Sequence, residues 1–366
     1  MGKHQALLTA LAVGLGISTI GLGYFCQQAQ FSHIISFFLL GFVCYLFLFL
    51  KSKPTDIKWL VGLGIALRFS LVFAFPALSD DIYRFIWDGQ LWLNGLNPFE
   101  QLPTYYMQAP NEVAGLSPEL FELLNSQKYF TVYPPIAQAT FTIAVWLSPN
   151  SWWGASVVMK LLLLGCEIGA IFLLWRLITQ FELPPANILL YVLNPLVIVE
   201  VVGNLHHEGM MVFFLLLAFY WLTQSKYHWS AVAMACSIAS KLLPLMFLPF
   251  LIRRLGWKQS IRYFAILGAT CLVLFLPLFS EVFIQNFSQS LDLYFRRFEF
   301  NGSVYYLLRE WGYSWTGRNM IQMLGPILAL LTLTGILVAT FVEREASWKK
   351  LPLRWLFAIS LYLSFT

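Results

Sequence analysis

The chain has 366 residues, of which 59% are hydrophobic, 17% aromatic and only 11% charged. A mean hydropathy of +0.69 and repeated long apolar runs exclude an ordinary soluble domain and predict an all-α, polytopic transmembrane protein. The net charge of +5 is too small and too scattered for a nucleic-acid footprint. No nucleic-acid partner is expected, and the basic residues are read as topology signals. Cys44, Cys166, Cys236 and Cys271 lie inside apolar runs, Cys26 ends one, and no CxxC pair occurs; all five read as small core residues.

In chain order, apolar segments at about 5–25, 31–50 and 59–77 are each long enough to cross a bilayer. Lys51, Lys53 and Lys58 lie between the second and third, which places that loop and the N-terminus on the cytoplasmic side and Asp80 and Asp81 on the outer side. Residues 78–133 form a long polar stretch, expected to be a partly helical outer loop. The apolar run 136–149 is short for a crossing and is read as re-entrant or interfacial. Spans at about 154–176 and 186–203 then bring Asn204 to Glu208 out to the same face as the Asp pair.

After a return over 209–224, the run 229–252 begins near Lys226 and ends at Arg253-Arg254, so a single crossing conflicts with the charge bias. Ser240-Lys241-Leu242-Leu243-Pro244 offers a break at which two half-helices enter and leave by one side. The run 261–279 leads to a second outer loop at 280–318, and 319–341 returns to a charged cytoplasmic stretch from Glu343 to Arg354. The last segment, 355–366, is about half a span, as in a fragment of a longer chain. No internal repeat or appended soluble domain is visible, so residues 1–366 are treated as one membrane domain with outer loops at about 78–153 and 280–318.

The densest charge follows the third apolar run, in Ser79-Asp80-Asp81-Ile82-Tyr83-Arg84-Phe85-Ile86-Trp87-Asp88-Gly89. In a helix beginning near Asp80, Asp81, Arg84 and Asp88 share a face, where a carboxylate could take a proton from an acceptor hydroxyl while Arg84 steadies its charge. The competing reading is a solvated helix start with Ser79 or Asp80 as N-cap.

Arg68, Lys160, Glu167, Glu200 and Lys241 interrupt apolar runs, and each costs a few kcal/mol, on the order of 3, unless it meets a partner or a wet cavity. Lys160 and Glu167, seven apart, could neutralise each other or a neighbour. Glu200, Asn204 and His207 or Glu208 form one helical stripe that leads to His206-His207-Glu208, although an ordinary helix–helix turn fits the same residues.

Those three residues with Asp80 and Asp81 could ligate a divalent cation, but adjacent histidines face different ways and no HExxH occurs; no metal is assigned, and hydrogen bonding to sugar or phosphate is preferred. Around Asp292 to Tyr306, Arg296 and Arg297 sit among aromatics, which suits an anionic phosphate and sugar faces or equally an interfacial belt. Asn286-Phe-Ser288 and Asn301-Gly-Ser303 match a glycosylation acceptor pattern that is common by chance.

The Ser79 to Gly89 run, Gly95-Leu96-Asn97-Pro98-Phe99, Tyr133-Pro134-Pro135, Asn194-Pro195, Asn204 to Glu208, and Lys241 to Pro244 with Leu248-Pro249 together resemble the polyprenol-phosphate-mannose-dependent mannosyltransferases, integral membrane glycosyltransferases of the GT-C class. The resemblance runs from about 60 to 310, and Asp-Asp-Ile-Tyr-Arg with the downstream Asn-Pro is its most specific part. Such enzymes carry a His-Pro-Trp-Tyr stretch after a helix like 355–366, which this chain does not reach.

The resemblance implies inverting transfer of a sugar, mannose first, from a polyprenyl-phosphate donor to a glycan or glycolipid acceptor at the extracytoplasmic face of the plasma membrane. It implies Asp81 as general base, with Asp80 as second choice or as a positioner of the acceptor. Arg296, Arg297 and His206 or His207 are the candidates to assist the leaving phosphate. Arg84, Asp88, Tyr133, Glu208, Lys241 and Asn301 complete the expected substrate-binding set, Lys241 also reading as a structural cap of a half-helix. No Walker-type or Rossmann-type glycine loop is present and no cofactor is assigned. A lipid-linked sugar transporter or flippase, or a non-catalytic membrane subunit, is the alternative; the first would be expected to show inverted repeats, and the second would tolerate neutral residues at both aspartates.

Overall fold

Backbone amides in hydrocarbon must be satisfied within their own segment, and the apolar runs of this chain do so as helices. The structure, a computed structural model, describes residues 2–296 and 303–365, among which there is no strand. In order these form α1 (Lys3–Tyr24), α2 (Phe31–Lys51), α3 (Ile57–Ser70), α4 (Asp81–Leu93), α5 (Pro118–Glu122), α6 (Pro135–Leu147) and α7 (Trp152–Gln180). A bent pair follows, α8 (Pro185–Val192) and α9 (Pro195–Gly203). The remainder are α10 (Glu208–Thr223), α11 (Tyr227–Ser240), α12 (Pro249–Phe275), α13 (Phe283–Arg296), α14 (Val304–Thr316), α15 (Ile321–Val342) and α16 (Leu351–Phe365). By length and composition α1, α2, α7, α12 and α15 can each cross a membrane. The protein is a polytopic helical membrane protein, and α2 leaves Phe31, Leu39, Val43, Phe47 and Leu50 on its exposed side, where lipid tails are the matching solvent.

Contacts at the helix ends fix which connections share a face. His4 Nε2 lies 2.9 Å from Asp56 Oδ2, so the N-terminus and the 51–58 connection meet. At the far end, the Tyr24 hydroxyl donates to Ser70 O and Trp153 Nε1 donates to Phe73 O, so α7 starts where α3 finishes. The connections flanking α6 attach to α4, through Asn125 to Asp81 and through Gln90 to Pro149 O. The run 136–149 thus lies against α4. Gly89 allows this contact, since a Cβ there would stand 2.7 Å from Phe141 O. On the other face Arg254 makes two bonds to Glu343, at 2.9 and 2.7 Å, and Arg354 adds a third at 2.9 Å. The two basic stretches assigned to a common side therefore meet.

Four sequence expectations change. The third span is shorter than 59–77, because α3 stops at Ser70 and turns through Leu71 to Ala74. Buried Lys160 holds this turn by donating to Leu71 O at 3.1 Å and to Ala74 O. Lys160 does not pair with Glu167. Glu167 instead accepts from Arg68 Nε at 2.8 Å and from the Tyr191 hydroxyl, while Arg68 also donates to Val192 O at 2.6 Å. Arg68 and Glu167 are fully buried, and their mutual bond, the Val192 carbonyl and the Tyr191 hydroxyl spare them an unpaired charge.

The 186–203 segment is not one straight helix but a pair bent by 46° between α8 and α9. Asn194 starts α9 by accepting from Leu196 N at 3.0 Å, and Ile198–Gly203 is wound as a π-helix. Finally, Glu200, Asn204 and His207 do not form one stripe, because the helix ends at Gly203 and Leu205 takes φ 62. The turn buries Asn204 and swings His206 back to Glu200, its Nδ1 lying 3.2 Å from Oε2. The break anticipated at 240–244 is present: α11 ends at Ser240, and a 3-10 turn over Leu243–Phe247 precedes α12.

Candidate active site

α4 starts at Asp81 because the Pro76 to Ser79 segment is extended or turning and Asp80 begins the helical bonding, Tyr83 N donating to Asp80 O at 3.3 Å. The capping expectation is met weakly: the Asp80 side chain makes no cap bond, and Ser79 Oγ accepts from Asp81 N at 3.4 Å. Asp80 is exposed. Asp81 is half-buried and accepts one side-chain bond, from Asn125 Nδ2 to Oδ1 at 2.9 Å. Among the described residues Asp81 Oδ2 has no protein donor, so the carboxylate keeps accepting capacity where the bulk side of α4 begins.

Two turns later the same helix carries the opposite arrangement. Asp88 is fully buried and accepts from Arg84 Nε at 2.8 Å, from Thr131 Oγ1 at 2.5 Å and from Gln138 Nε2 at 2.9 Å. Arg84 goes on to donate to Tyr129 O at 2.9 Å and to Ser126 O and Oγ at 3.3 Å. Of the two carboxylates that share its face, Arg84 pairs with Asp88 and not, among these contacts, with Asp81, and it fastens the 126–131 segment to α4. Gln138 extends the network by accepting from Trp92 Nε1 at 3.0 Å. These bonds satisfy groups that burial would otherwise penalise.

Behind α4 lies an aromatic block. Phe85 stacks on Phe141 with centroids 4.4 Å apart, and Tyr133 and His207 each meet Phe85 edge-on at 5.0 Å. Tyr133 is thus packed into the wall of the site. His207 Nε2 lies 3.0 Å from Thr140 Oγ1, whereas its Nδ1 and the neighbouring Asn204 Nδ2 are buried with no protein partner. Burial holds the His207 pKa down to about 4, so the ring is neutral near pH 7. His207 joins the Asp81 helix to the 204–208 connection.

His206 and Glu208 point elsewhere: His206 pairs with Glu200, and Glu208 pairs with Lys241 at the end of α11. Lys241 is half-exposed and bridges α10 to α11, so the sequence's buried capping lysine is instead a partly solvated ion pair. Among the described residues no three His, Cys, Asp or Glu side chains converge, and the acidic and imidazole groups considered as cation ligands are distributed into these separate pairs. Arg296 is the last residue of α13, with its side chain outside the description, and Arg297 and Asn301 lie outside the described residues. Asn286 is buried and donates to Phe99 O at 2.8 Å, which removes it as a glycosylation acceptor in this fold.

Several residues that build the site are uncharged and went unremarked in the sequence. Asn125 holds Asp81, Thr131 and Gln138 hold Asp88, and Thr140 holds His207. A family profile described as alpha-(1->6)-mannopyranosyltransferase, N-terminal domain, matches residues 11–256, about two thirds of the chain. The chain belongs to that mannosyltransferase family. No curated protein and no solved structure matches it. The matched region contains the Asp80-Asp81 pair, the Arg84–Asp88 network and the 204–208 connection. It ends at Gly256, whose φ of 71 kinks α12. Membership makes the protein a multi-pass membrane glycosyltransferase acting with a sugar donor and an acceptor, and assigns it to mannosyl transfer.

Proposed function

We propose that the chain transfers mannose from polyprenyl-phosphate mannose to a glycan or glycolipid at the extracytoplasmic face, with inversion and with Asp81 as general base. The observation that carries this reading is the state of Asp81, a half-buried carboxylate positioned by Asn125 through one oxygen, with the other left without a protein donor among the described residues. A general base needs that combination of fixed direction and spare accepting capacity.

The acceptor hydroxyl attacks the anomeric carbon from the face opposite the phosphate, and its proton passes to Asp81 Oδ2. The anomeric carbon–oxygen bond to phosphate breaks and polyprenyl phosphate leaves with the electron pair. Asp80, exposed beside the base, orients the acceptor. His206 and Lys241 are half-exposed, each held by one carboxylate, and a phosphate competes with Glu200 and Glu208 for them. His207, buried and neutral, holds the wall and supplies no positive charge.

The test is transfer of labelled mannose from polyprenyl-phosphate mannose by the detergent-solubilised chain, with glycolipid and oligosaccharide acceptors. The native chain transfers with inversion, and Asp81→Asn lowers turnover by ~10²–10⁴-fold with donor binding retained. Equal turnover by both proteins would remove Asp81 from the chemistry.

A further inference from the structure

A cleft of about 540 Å³ lies between the 128–130 segment and α13, within the ~300–1,000 Å³ typical of small-molecule sites. Lys128, Tyr129 and Phe130 form one wall, and Ser288, Gln289 and Asp292 contribute to the other. Both walls are anchored. Arg84 holds Tyr129 O at 2.9 Å and Asn125 reaches Asp81 at 2.9 Å, so the first wall hangs from the first turn of α4. The second wall is fixed by Asn286 to Phe99 O at 2.8 Å and to Glu100 O at 3.1 Å, and by buried Ser290, whose hydroxyl lies 3.5 Å from Phe130 O. The packing of Phe99 with Leu278 and Phe283 secures the same junction.

We propose that this cleft binds the acceptor glycan. The assignment rests on the mannosyl-transfer reading above and adds where, and by what chemistry, the acceptor is held. A sugar offers hydroxyls that donate to a carboxylate and accept from an ammonium, and apolar C–H faces that lie on an aromatic ring. The cleft supplies Asp292, Lys128, the Ser288 and Gln289 side chains, and the exposed Tyr129 ring. The donor fits less well, because its phosphate would meet the Asp292 carboxylate. Residues 128–130, which line the cleft, follow closely on Asn125, which touches the proposed base, so the bound acceptor lies on the segment that positions Asp81.

The experiment uses the full chain in detergent with α-1,6-linked mannobiose as probe and cellobiose as control. Direct titration calorimetry is paired with transfer kinetics for Tyr129→Ala, Gln289→Ala and Asp292→Asn. Mannobiose should bind the native chain. Tyr129→Ala should weaken it at least about tenfold and raise the acceptor KM in step, with the donor KM and the thermal midpoint unchanged. Gln289→Ala and Asp292→Asn should each act in the same direction, about threefold or more. Unchanged mannobiose binding in all three variants, a rise in donor KM instead, or no binding of mannobiose to the native chain at millimolar concentration would overturn the assignment. Mannobiose binding that depends on Tyr129, in a chain that transfers no mannose from any donor, would leave the cleft assigned and reject the transfer reading.

Discussion

Asp81 and Asp88 occupy one helix two turns apart and face opposite demands. Asp88 is fully buried, with three donors closing on its two oxygens, and its removal would strand the Arg84 guanidinium. Asp81 is half-buried with a single donor on one oxygen. The same side chain is therefore a fastener at Asp88 and, in the proposed reading, a reagent at Asp81, and what separates them is unused accepting capacity. The contrast recurs among the intramembrane ion pairs. Arg68–Glu167 is dry and saturated, and Lys241–Glu208 is half-solvated at the 240–244 break.

The largest effect should come from Asp88→Ala. Leaving Arg84 buried without its carboxylate should cost about 3–5 kcal/mol and lower the thermal midpoint in detergent, whereas Asp80→Ala, at an exposed position, should stay within about 0.5 kcal/mol. A comparable midpoint for the two would erase the distinction between buried and exposed carboxylates.

The next effect is in pH. His207 titrates at about 4 in the fold against 6.5 as its ordinary value, so the unfolded chain binds the proton first. Its contribution is complete above pH 6.5 and is lost as pH falls toward 4, to the extent of on the order of 3 kcal/mol. Unfolding of the native chain and of His207→Gln across that window should diverge in slope; parallel curves would mean the imidazole is not held neutral.

Smaller still, Gln138→Ala removes one of three donors to Asp88 and leaves Trp92 Nε1 unpaired, for about 1–3 kcal/mol. The least is expected of Lys241→Met, since a half-exposed pair contributes about 0–1 kcal/mol. A loss of several kcal/mol there would place Lys241 with the structural pairs.

The helical membrane class and the positions of the long spans were readable because hydrocarbon demands uninterrupted apolar runs, and the charge bias correctly grouped the N-terminus with the 51–58 connection and Arg254 with Glu343. The break at Lys241 to Pro244 was readable because proline removes an amide. The partners were not. Sequence spacing put Asp81, Arg84 and Asp88 on one face and left Lys160 and Glu167 to pair with each other or with a neighbour. The fold chose Arg84 with Asp88, and Arg68 on another helix with Glu167. The positive φ at Leu205 that dismantles the Glu200 stripe carries no signal in a leucine. Neutral residues such as Asn125, Thr131 and Gln138 gave no charge to notice, yet they decide which aspartate is saturated with donors.

The central claim is that reactivity and stability are divided between Asp81 and Asp88. The most direct measurement sets Asp81→Asn beside Asp88→Asn and reads mannosyl transfer and thermal unfolding on the same preparations. Asp81→Asn should abolish most transfer and leave the unfolding midpoint within about 2 °C of native, while Asp88→Asn should lower the midpoint markedly. An Asp81→Asn chain that transfers mannose at the native rate, or that unfolds as early as Asp88→Asn, would contradict it.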